Sequence, residues 1–256
     1  MHEEQRSRRG VESSIRTAAV WEVVAASVRR QQDALGRPLR VLDLGGGSGG
    51  FAVPLAEHGH DVVVVDPSPD ALASLDRRSG ETGVRDRVRG FQGDASTLSA
   101  AVSEPVDLIC CHGVLEYVDD AGAAIAALRD VLAPDGVVSL LVAQRLAAVL
   151  SRALAGQFDA ARTVLVSPDG RWGPTDPMPR RFDVEQIHER LVAGGLRPVT
   201  TQGVRVFSDL VPSAYLDTDA DRASLLALEK AVSEREAAAF LGRLAAGLHV
   251  LAVRAD

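Results

Sequence analysis

The sequence predicts a doubly wound α/β fold with a mostly parallel sheet. From position 40 onward, short continuous apolar runs alternate with longer amphipathic stretches. This alternation is typical of parallel strands whose two faces are both covered by helices. A glycine-rich turn follows the first apolar run directly, as in folds that bind a ligand at the carboxyl ends of their strands. The length of 256 residues suits one α/β domain with a cap or an insertion.

The elements follow from apolar periodicity and from the glycines and prolines that interrupt it. Seven strands are predicted, at residues 40–44, 61–66, 88–92, 106–111, 137–142, 197–206 and 248–254. Helices are predicted at residues 13–34, 49–58, 71–78, 121–132, 145–158, 184–193 and 219–239. Residues 167–179 contain four prolines and are predicted to form a loop.

We expect a single domain in which four regions follow one another. Residues 1–36 form an N-terminal helical cap, and residues 37–144 form the cofactor-binding core. Residues 145–182 form a lid inserted after the fifth strand, and this segment is called the lid below. Residues 183–256 supply the C-terminal helices and the last two strands.

Composition limits the classes of protein that fit. The formal net charge is −7, so the surface as a whole does not attract nucleic acid, although a local arginine cluster could. No run approaches the roughly 20 apolar residues of a membrane helix, and residues 1–10 lack an apolar signal core. Cys110 and Cys111 are adjacent in an apolar run, which excludes a disulfide framework and a four-cysteine zinc site. We expect a soluble cytoplasmic protein without metal or membrane partner.

The first turn fits two binding patterns. Gly45, Gly47 and Gly50 satisfy the dinucleotide fingerprint G-x-G-x-x-G. The same segment also satisfies Asp-x-Gly-x-Gly-x-Gly, which begins at Asp43. Asp66, at the end of the second strand, could accept hydrogen bonds from the ribose hydroxyls of either cofactor. The alternative for Asp66 is an N-cap of the next helix.

Two later turns favour the second pattern. Gly93-Asp94-Ala95 follows the third strand, and His112-Gly-Val-Leu-Glu116 follows the fourth. With the first turn they resemble class I S-adenosylmethionine-dependent methyltransferases, whereas nicotinamide folds have no counterpart at this spacing. His112 could instead be a structural histidine at a strand end. The resemblance implies S-adenosylmethionine as cofactor, contacted by Asp43, Gly45, Gly46, Gly47, Gly49, Asp66, Pro67, Asp94, Ala95 and His112.

A narrower resemblance covers nearly the whole chain from Ile15. The segments 108–118, 155–159, 203–209 and 241–243, with Glu229 and His249, resemble the tRNA 5-carboxymethoxyuridine methyltransferase family. Arg16 matches a family arginine that contacts the methionine end of the cofactor, and the implied partner is the tRNA anticodon loop. Two departures fall where the family would touch its substrate. The lysine-rich run before Ser167 is absent, and Gln144 replaces an asparagine after the fifth strand.

The implied reaction asks little of acid–base chemistry. A carboxylate acceptor is ionised near neutral pH and needs no general base, but it needs a cationic clamp, preferably an arginine. We expect Arg205, on the sixth strand and turned away from its valine neighbours, to be that clamp, with Asp209 or Glu229 as alternative partners. Further clamp candidates are Arg145, Arg180 and Arg181. His112 and Tyr117 are expected to line the methyl-transfer pocket.

Two other functions remain open at this point. The protein could be a small-molecule methyltransferase of secondary metabolism, or a cofactor-binding subunit without catalysis. Trp172, between Arg171 and Arg180-Arg181, could stack on a nucleobase or simply close the pocket. The acceptor atom and the oligomeric state are not determined by the sequence.

Overall fold

The computed structural model describes residues 15–212, 215–216 and 218–255, without the side chains of residues 15–19 and Glu236. These residues form seven strands: β1 (Arg40–Leu44), β2 (Asp61–Asp66), β3 (Val88–Gln92), β4 (Val106–His112), β5 (Leu132–Ala143), β6 (Leu196–Val204) and β7 (Gly247–Arg254). Their order across the sheet is β3-β2-β1-β4-β5-β7-β6. Strands β1 to β5 pair in parallel, and β7 runs antiparallel to both β5 and β6. The predicted mostly parallel, doubly wound sheet is confirmed.

Helices cover the sheet on both sides. They are α1 (Ile15–Leu35), α2 (Ala52–Glu57), α3 (Pro69–Glu81), α4 (Leu98–Ala101), α5 (Ala121–Val131), α6 (Arg145–Leu154), α7 (Phe158–Val166), α8 (Val184–Ala193) and α9 (Asp219–Glu234). Short 3₁₀ segments occupy Arg85–Arg87, Ala95–Thr97 and Glu236–Leu244. Helix α1 falls within residues 1–36, the predicted N-terminal cap, and α6, α7 and the loop after them fall within residues 145–182, the predicted lid.

Two hydrophobic clusters, one on each face of the sheet, explain why the central strands are unbroken apolar runs in the sequence. Along β4, Ile109 and Cys111 belong to the cluster that includes α5 and α8. Their neighbours Leu108 and Cys110 belong to the opposite cluster, beneath α1, α2 and α3. Successive side chains of a strand point to opposite faces, so a strand buried on both faces has no polar alternation.

The predicted helix over residues 145–158 is wrong, because the structure has two helices there. Helix α6 ends at Leu154, and Gly156 follows with a φ of 72°. The N–H of Gly156 donates to the carbonyl of Ala153 and that of Gln157 to the carbonyl of Arg152. These two bonds form a Schellman motif, which ends a helix at a left-handed glycine.

Three other predicted boundaries are also wrong. The helix predicted over residues 219–239 ends at Glu234, because Arg235 has an extended backbone and a 3₁₀ segment follows. The predicted helix includes Leu132 and the predicted fifth strand begins at residue 137, whereas residues 132–136 form the irregular start of β5, where its register with β4 shifts. Strand β6 ends at Val204, because the backbone of Arg205 is left-handed with a φ of 65°.

Candidate active site

The glycine turn after β1 adopts a conformation that few other residues can take. Gly45, Gly47 and Gly49 have φ values of 71°, 55° and 83°, all in the left-handed region. Gly46 is required for a different reason, since a Cβ built on it would lie 2.4 Å from Asp43 Oδ2. The chain can therefore pass close to a ligand at this turn.

Gly49 and Gly50 distinguish the two binding patterns. A Cβ on Gly49 would lie 2.4 Å from Leu75 Cδ1, whereas a Cβ on Gly50 meets nothing within 4 Å. The third glycine of the dinucleotide fingerprint is needed for close helix–strand packing. Gly50 has no such packing, so the geometry favours the Asp-x-Gly-x-Gly-x-Gly pattern.

Asp66 lies at the end of β2 and holds the glycine turn in place. Its Oδ2 accepts a hydrogen bond from the N–H of Gly47 at 2.9 Å, and its Oδ1 accepts one from the N–H of Ser68 at 2.9 Å. The N-cap of α3 is Ser68, whose Oγ accepts from the N–H of Ala71 at 3.2 Å. The N-cap alternative for Asp66 is therefore wrong.

Asp43 is a buried carboxylate beneath the same turn. Burial, together with the negative charge of Asp66, raises the pKa of Asp43 to about 7. Its Oδ2 is buried and has no hydrogen-bond partner among the described residues. A cationic ligand group nearby would favour the ionised form of this carboxylate.

A cavity of about 710 Å³, called cavity 1, opens beside this turn at the carboxyl ends of β1, β2 and β4. Asp94 stands at its edge and caps the 3₁₀ segment Ala95–Thr97: its Oδ1 accepts from the N–H of Ser96 at 2.8 Å. Hydrogen bonds from Ser96 lower the pKa of the Asp94 carboxyl. Of the residues predicted from sequence, cavity 1 brings together Gly45, Asp66, Pro67, Asp94, Ala95 and Tyr117.

His112, at the end of β4, belongs to a row of buried polar side chains. Its Nε2 lies 2.9 Å from Ser139 Oγ on β5, and that oxygen lies 2.7 Å from His249 Nε2 on β7. Phe51 packs edge-on against the His112 ring, with 4.7 Å between ring centroids. Burial lowers the pKa of His112 to about 3 and that of His249 to about 4. Both rings are neutral near pH 7.

Arg205 lies in a turn after β6, so its predicted place on the strand is wrong. Its side chain is 21% exposed, and its Nη2 lies 3.9 Å from Asp209 Oδ2. Its buried Nε has no hydrogen-bond partner among the described residues. A left-handed non-glycine residue is strained and is found most often at functional sites.

Glu229, from α9, fixes the turn that carries Arg205 rather than pairing with the guanidinium. Its Oε2 accepts from the N–H of Val206 at 2.9 Å, and its Oε1 accepts from the N–H groups of Phe207 and Ser208, also at 2.9 Å. Glu229 is 8% exposed. The close approach of Gly203 to Gly242, where a Cβ would lie 2.1 Å from a carbonyl oxygen, packs the same turn against the C-terminal 3₁₀ segment.

The other three arginine candidates have their donors occupied. Arg145 is 5% exposed and bonds Asp183 Oδ2 at 2.8 Å and several carbonyl oxygens of the lid. Arg181 forms a bidentate pair with Asp176 at 2.7 and 3.1 Å. Arg180 donates to the carbonyls of Leu115 and Val118, each at 3.0 Å, and thereby ties the lid to the turn after β4. The donors of these three arginines serve the fold, whereas the Nε of Arg205 has no hydrogen-bond partner among the described residues.

A second cavity of about 240 Å³, called cavity 2, lies between the lid and the ends of β5 and β7. Arg152, Trp172, Arg181 and Arg205 line it, and Gln144 lies in its wall. Gln144 Nε2 donates to the carbonyls of Gly242 and Ala245 at 2.8 and 2.9 Å, so this departure from the family serves the fold. Both cavities lie at the edge of the sheet formed by the carboxyl ends of the parallel strands. A hydrogen bond joins them there: Glu116 Oε1, in the turn beside cavity 1, accepts from the N–H of Ala143, beside cavity 2, at 2.6 Å.

Arg16, metal sites, membrane helices and the two cysteines complete the comparison of the predicted features with the structure. The side chain of Arg16 lies outside the described residues. Among the described residues, no group of three or more His, Cys, Asp or Glu side chains could hold a metal ion. No helix within the described ranges is long and apolar enough to cross a membrane. Cys110 and Cys111 are buried free thiols.

Sequence reasoning missed two residues of the site, Phe51 and Ser139, and it missed the role of Glu229 in holding the turn after β6. A lone serine inside the apolar run of β5 was a usable signal, because a buried hydroxyl requires a partner. Phe51 carried no comparable signal, since an aromatic residue at the start of a helix is ordinary core.

Comparisons with known proteins agree with this geometry. A family model described as a methyltransferase domain matches residues 42–138. The tRNA 5-carboxymethoxyuridine methyltransferase of Escherichia coli K12 is 33% identical over 214 residues, covering 84% of this chain and 79% of the relative. The ubiquinone biosynthesis O-methyltransferase of Azorhizobium caulinodans is 33% identical over 118 residues, 46% of each chain.

A solved structure shows the same fold. The S-adenosylmethionine-dependent methyltransferase from Mesorhizobium loti superposes with a TM-score of 0.61 at 19% identity, covering 94% of this chain and 100% of that one. S-adenosylmethionine is thus the cofactor of this enzyme. The chain belongs to the tRNA 5-carboxymethoxyuridine methyltransferase family of class I S-adenosylmethionine-dependent methyltransferases.

Proposed function

We propose that the enzyme methylates the carboxylate of a modified wobble uridine, 5-carboxymethoxyuridine, in the tRNA anticodon loop. The observation that carries the proposal is Arg205: a strained, half-buried guanidinium in cavity 2 whose Nε has no partner. An arginine with unused donors suits a planar anion that can accept two hydrogen bonds. On this proposal the enzyme meets its tRNA in the cytoplasm.

The residues around cavity 1 fit the cofactor. We assign Asp66 to the ribose hydroxyls, because each oxygen that accepts a backbone N–H keeps a second lone pair. Asp94 and Ala95 stand at the adenine edge, and the left-handed glycines let the backbone approach closely. Asp43, beneath the turn, supplies negative charge for the cationic methionine end.

The chemistry follows from the groups that the chain provides. When bound, S-adenosylmethionine would supply a sulfonium methyl group for in-line transfer to the carboxylate oxygen, and the thioether S-adenosylhomocysteine would be the leaving group. Arg205 holds the acceptor carboxylate, which is ionised near neutral pH and loses no proton. Positioning therefore dominates the rate. His112, with a pKa of about 3, is a poor base, which agrees with a reaction that needs none. We place His112 and Tyr117 in the wall around the reacting groups.

The test compares tRNA nucleosides from a strain that lacks the gene with those from its parent. Mass spectrometry should show loss of the 5-carboxymethoxyuridine methyl ester and accumulation of the free acid. The digestion must avoid alkali, which would hydrolyse the ester in both samples. The wild-type gene should restore the ester, and the Arg205→Gln variant, folded and still able to bind adenosylhomocysteine, should not. An unchanged ester level in the deletion strain would refute the tRNA assignment.

A small-molecule acceptor is the second candidate. It is favoured by the small volume of cavity 2 and by the similarity to the ubiquinone biosynthesis O-methyltransferase. On this alternative the deletion strain keeps its nucleosides unchanged, and its metabolite extract lacks a methylated carboxylic acid or phenol.

A further inference from the structure

Cavity 2 is a positive site on an acidic protein. The chain carries a net charge of −7, yet this cavity is lined by Arg152, Arg181 and Arg205 and by one described carboxylate, Asp209. Arg181 is neutralised by its bidentate pair with Asp176. Arg152 and Arg205 thus remain as the cations that face the cavity, opposed by Asp209, whose Oδ2 lies 3.9 Å from Arg205 Nη2, and a concave wall concentrates their field.

Arg152 is held in a fixed plane by Trp172. Its guanidinium carbon lies 3.6 Å from the centroid of the indole ring, and its Nη1 donates to Gln157 Oε1 at 2.7 Å. Its Nε and Nη2 have no hydrogen-bond partner among the described residues. Trp172 is itself anchored: its backbone N–H donates to Asp176 Oδ2 at 3.2 Å, and the guanidinium carbon of Arg181 lies 4.6 Å from the centroid of its ring. A stacked arginine with two unused donors is pre-organised to bind an anion.

We propose that cavity 2 binds the acceptor at two anionic points: Arg205 binds the carboxylate to be methylated, and Arg152, stacked on Trp172, binds a phosphate of the nucleotide chain. The inference rests on the proposed function and extends it, because it assigns the phosphate contact to the lid. A phosphate contact positions the RNA without reading its sequence. It would also make the enzyme bind a nucleotide more tightly than a free carboxylic acid, which has no phosphate.

The test is equilibrium binding of an anticodon stem-loop RNA that carries 5-carboxymethoxyuridine, compared with the same RNA carrying uridine. Binding is measured with adenosylhomocysteine present, over about 50 to 200 mM KCl. Arg152→Gln should weaken the binding of both RNAs about tenfold at low salt. The magnitude of the slope of log K against log[KCl] should decrease by about 0.7 to 0.9, the value for one phosphate. Arg205→Gln should weaken the binding of only the RNA that carries the carboxylate.

Two further variants keep the result interpretable. Arg162→Gln removes a lid arginine whose side chain is 78% exposed, so it controls for the loss of one positive charge, and neither RNA should bind it more weakly. Arg152→Lys keeps the charge but loses the planar stack, so it should retain the salt slope and lose part of the affinity. Thermal melts of all variants confirm folding.

The outcomes separate the inference from the proposed function. If the wild-type protein shows no preference for the RNA with the carboxylate, the proposed function is wrong and the inference falls with it. If that preference is present but Arg152→Gln behaves like Arg162→Gln in affinity and slope, only the phosphate contact is wrong. A reduced slope for Arg152→Gln alone supports the two-point binding.

Discussion

Asp43 shows how one buried carboxylate can couple cofactor binding to pH. Its folded-state pKa of about 7 lies above the value of about 4 for an unfolded chain. By itself, this group therefore stabilises the folded protein at low pH, and that contribution is lost as the pH rises through 7. On the cofactor assignment proposed for Asp43, a bound ligand reverses the preference, because an ionised Asp43 would best match the ammonium group of adenosylhomocysteine.

We therefore expect the affinity for adenosylhomocysteine to rise with pH, by up to tenfold per unit below pH 7, and to level off above it. Calorimetry in two buffers of different ionisation enthalpy should detect a proton released on binding near pH 7. Asp43→Asn should remove both the pH dependence and the proton release. A wild-type affinity that is flat from pH 6 to 8 would contradict this role for Asp43.

Asp66 offers a sharper test of the ribose assignment. Asp66→Ala should weaken S-adenosylmethionine binding by about 1.5–3 kcal/mol, the contribution of hydrogen bonds to a charged group. Ser68→Ala is the matched control: it removes the cap of α3, so it should cost about 1 kcal/mol of stability and leave the affinity intact. A folded Asp66→Ala protein with unchanged affinity would rule out the ribose role.

At the scale of elements, the turn after β6 depends on α9. Glu229→Ala leaves the buried N–H groups of Val206, Phe207 and Ser208 without their acceptor. We expect a loss of about 2–3 kcal/mol of unfolding free energy, and a melting temperature lower by roughly 5–10 °C in a thermal scan. Glu234→Ala, an exposed change on the same helix, should have little effect. Equal melting temperatures for the two variants would show that this turn does not depend on Glu229.

These elements also show where sequence reasoning succeeds. The central strands β2 and β4 are predictable because each is a separate apolar run, and Gly156 is a usable signal for the helix break. The position of Arg205 was not predictable, because Val-Arg-Val-Phe has strand propensity and nothing in it reveals a left-handed backbone. The row from His112 to His249 arises from the order β4-β5-β7, which joins strands that are distant in sequence.

At the scale of the whole molecule, the sheet order places the cofactor site at the carboxyl ends of the central strands. The carboxyl ends of β1, β2 and β4 surround cavity 1, and the lid closes the same edge beside β5. Gly50, the third glycine of the dinucleotide fingerprint, has open space at its Cβ position, so it does not serve close helix–strand packing. We expect no saturable binding of NADH at micromolar concentration in a fluorescence titration, with adenosylhomocysteine as the positive control. Saturable NADH binding would overturn the cofactor assignment.

The hydrogen-bonded row of His112, Ser139 and His249 restricts which nitrogen of each imidazole ring can carry the proton. The Ser139 hydroxyl has one proton, so it can donate to only one of the two neutral imidazoles, and the other ring must donate its Nε2 proton to the hydroxyl oxygen. The two rings therefore hold opposite tautomers, one protonated at Nδ1 and the other at Nε2. Neither ring can change its tautomer alone: rotation of a single hydroxyl couples the proton on β4, at the rim of the site, to the proton on β7.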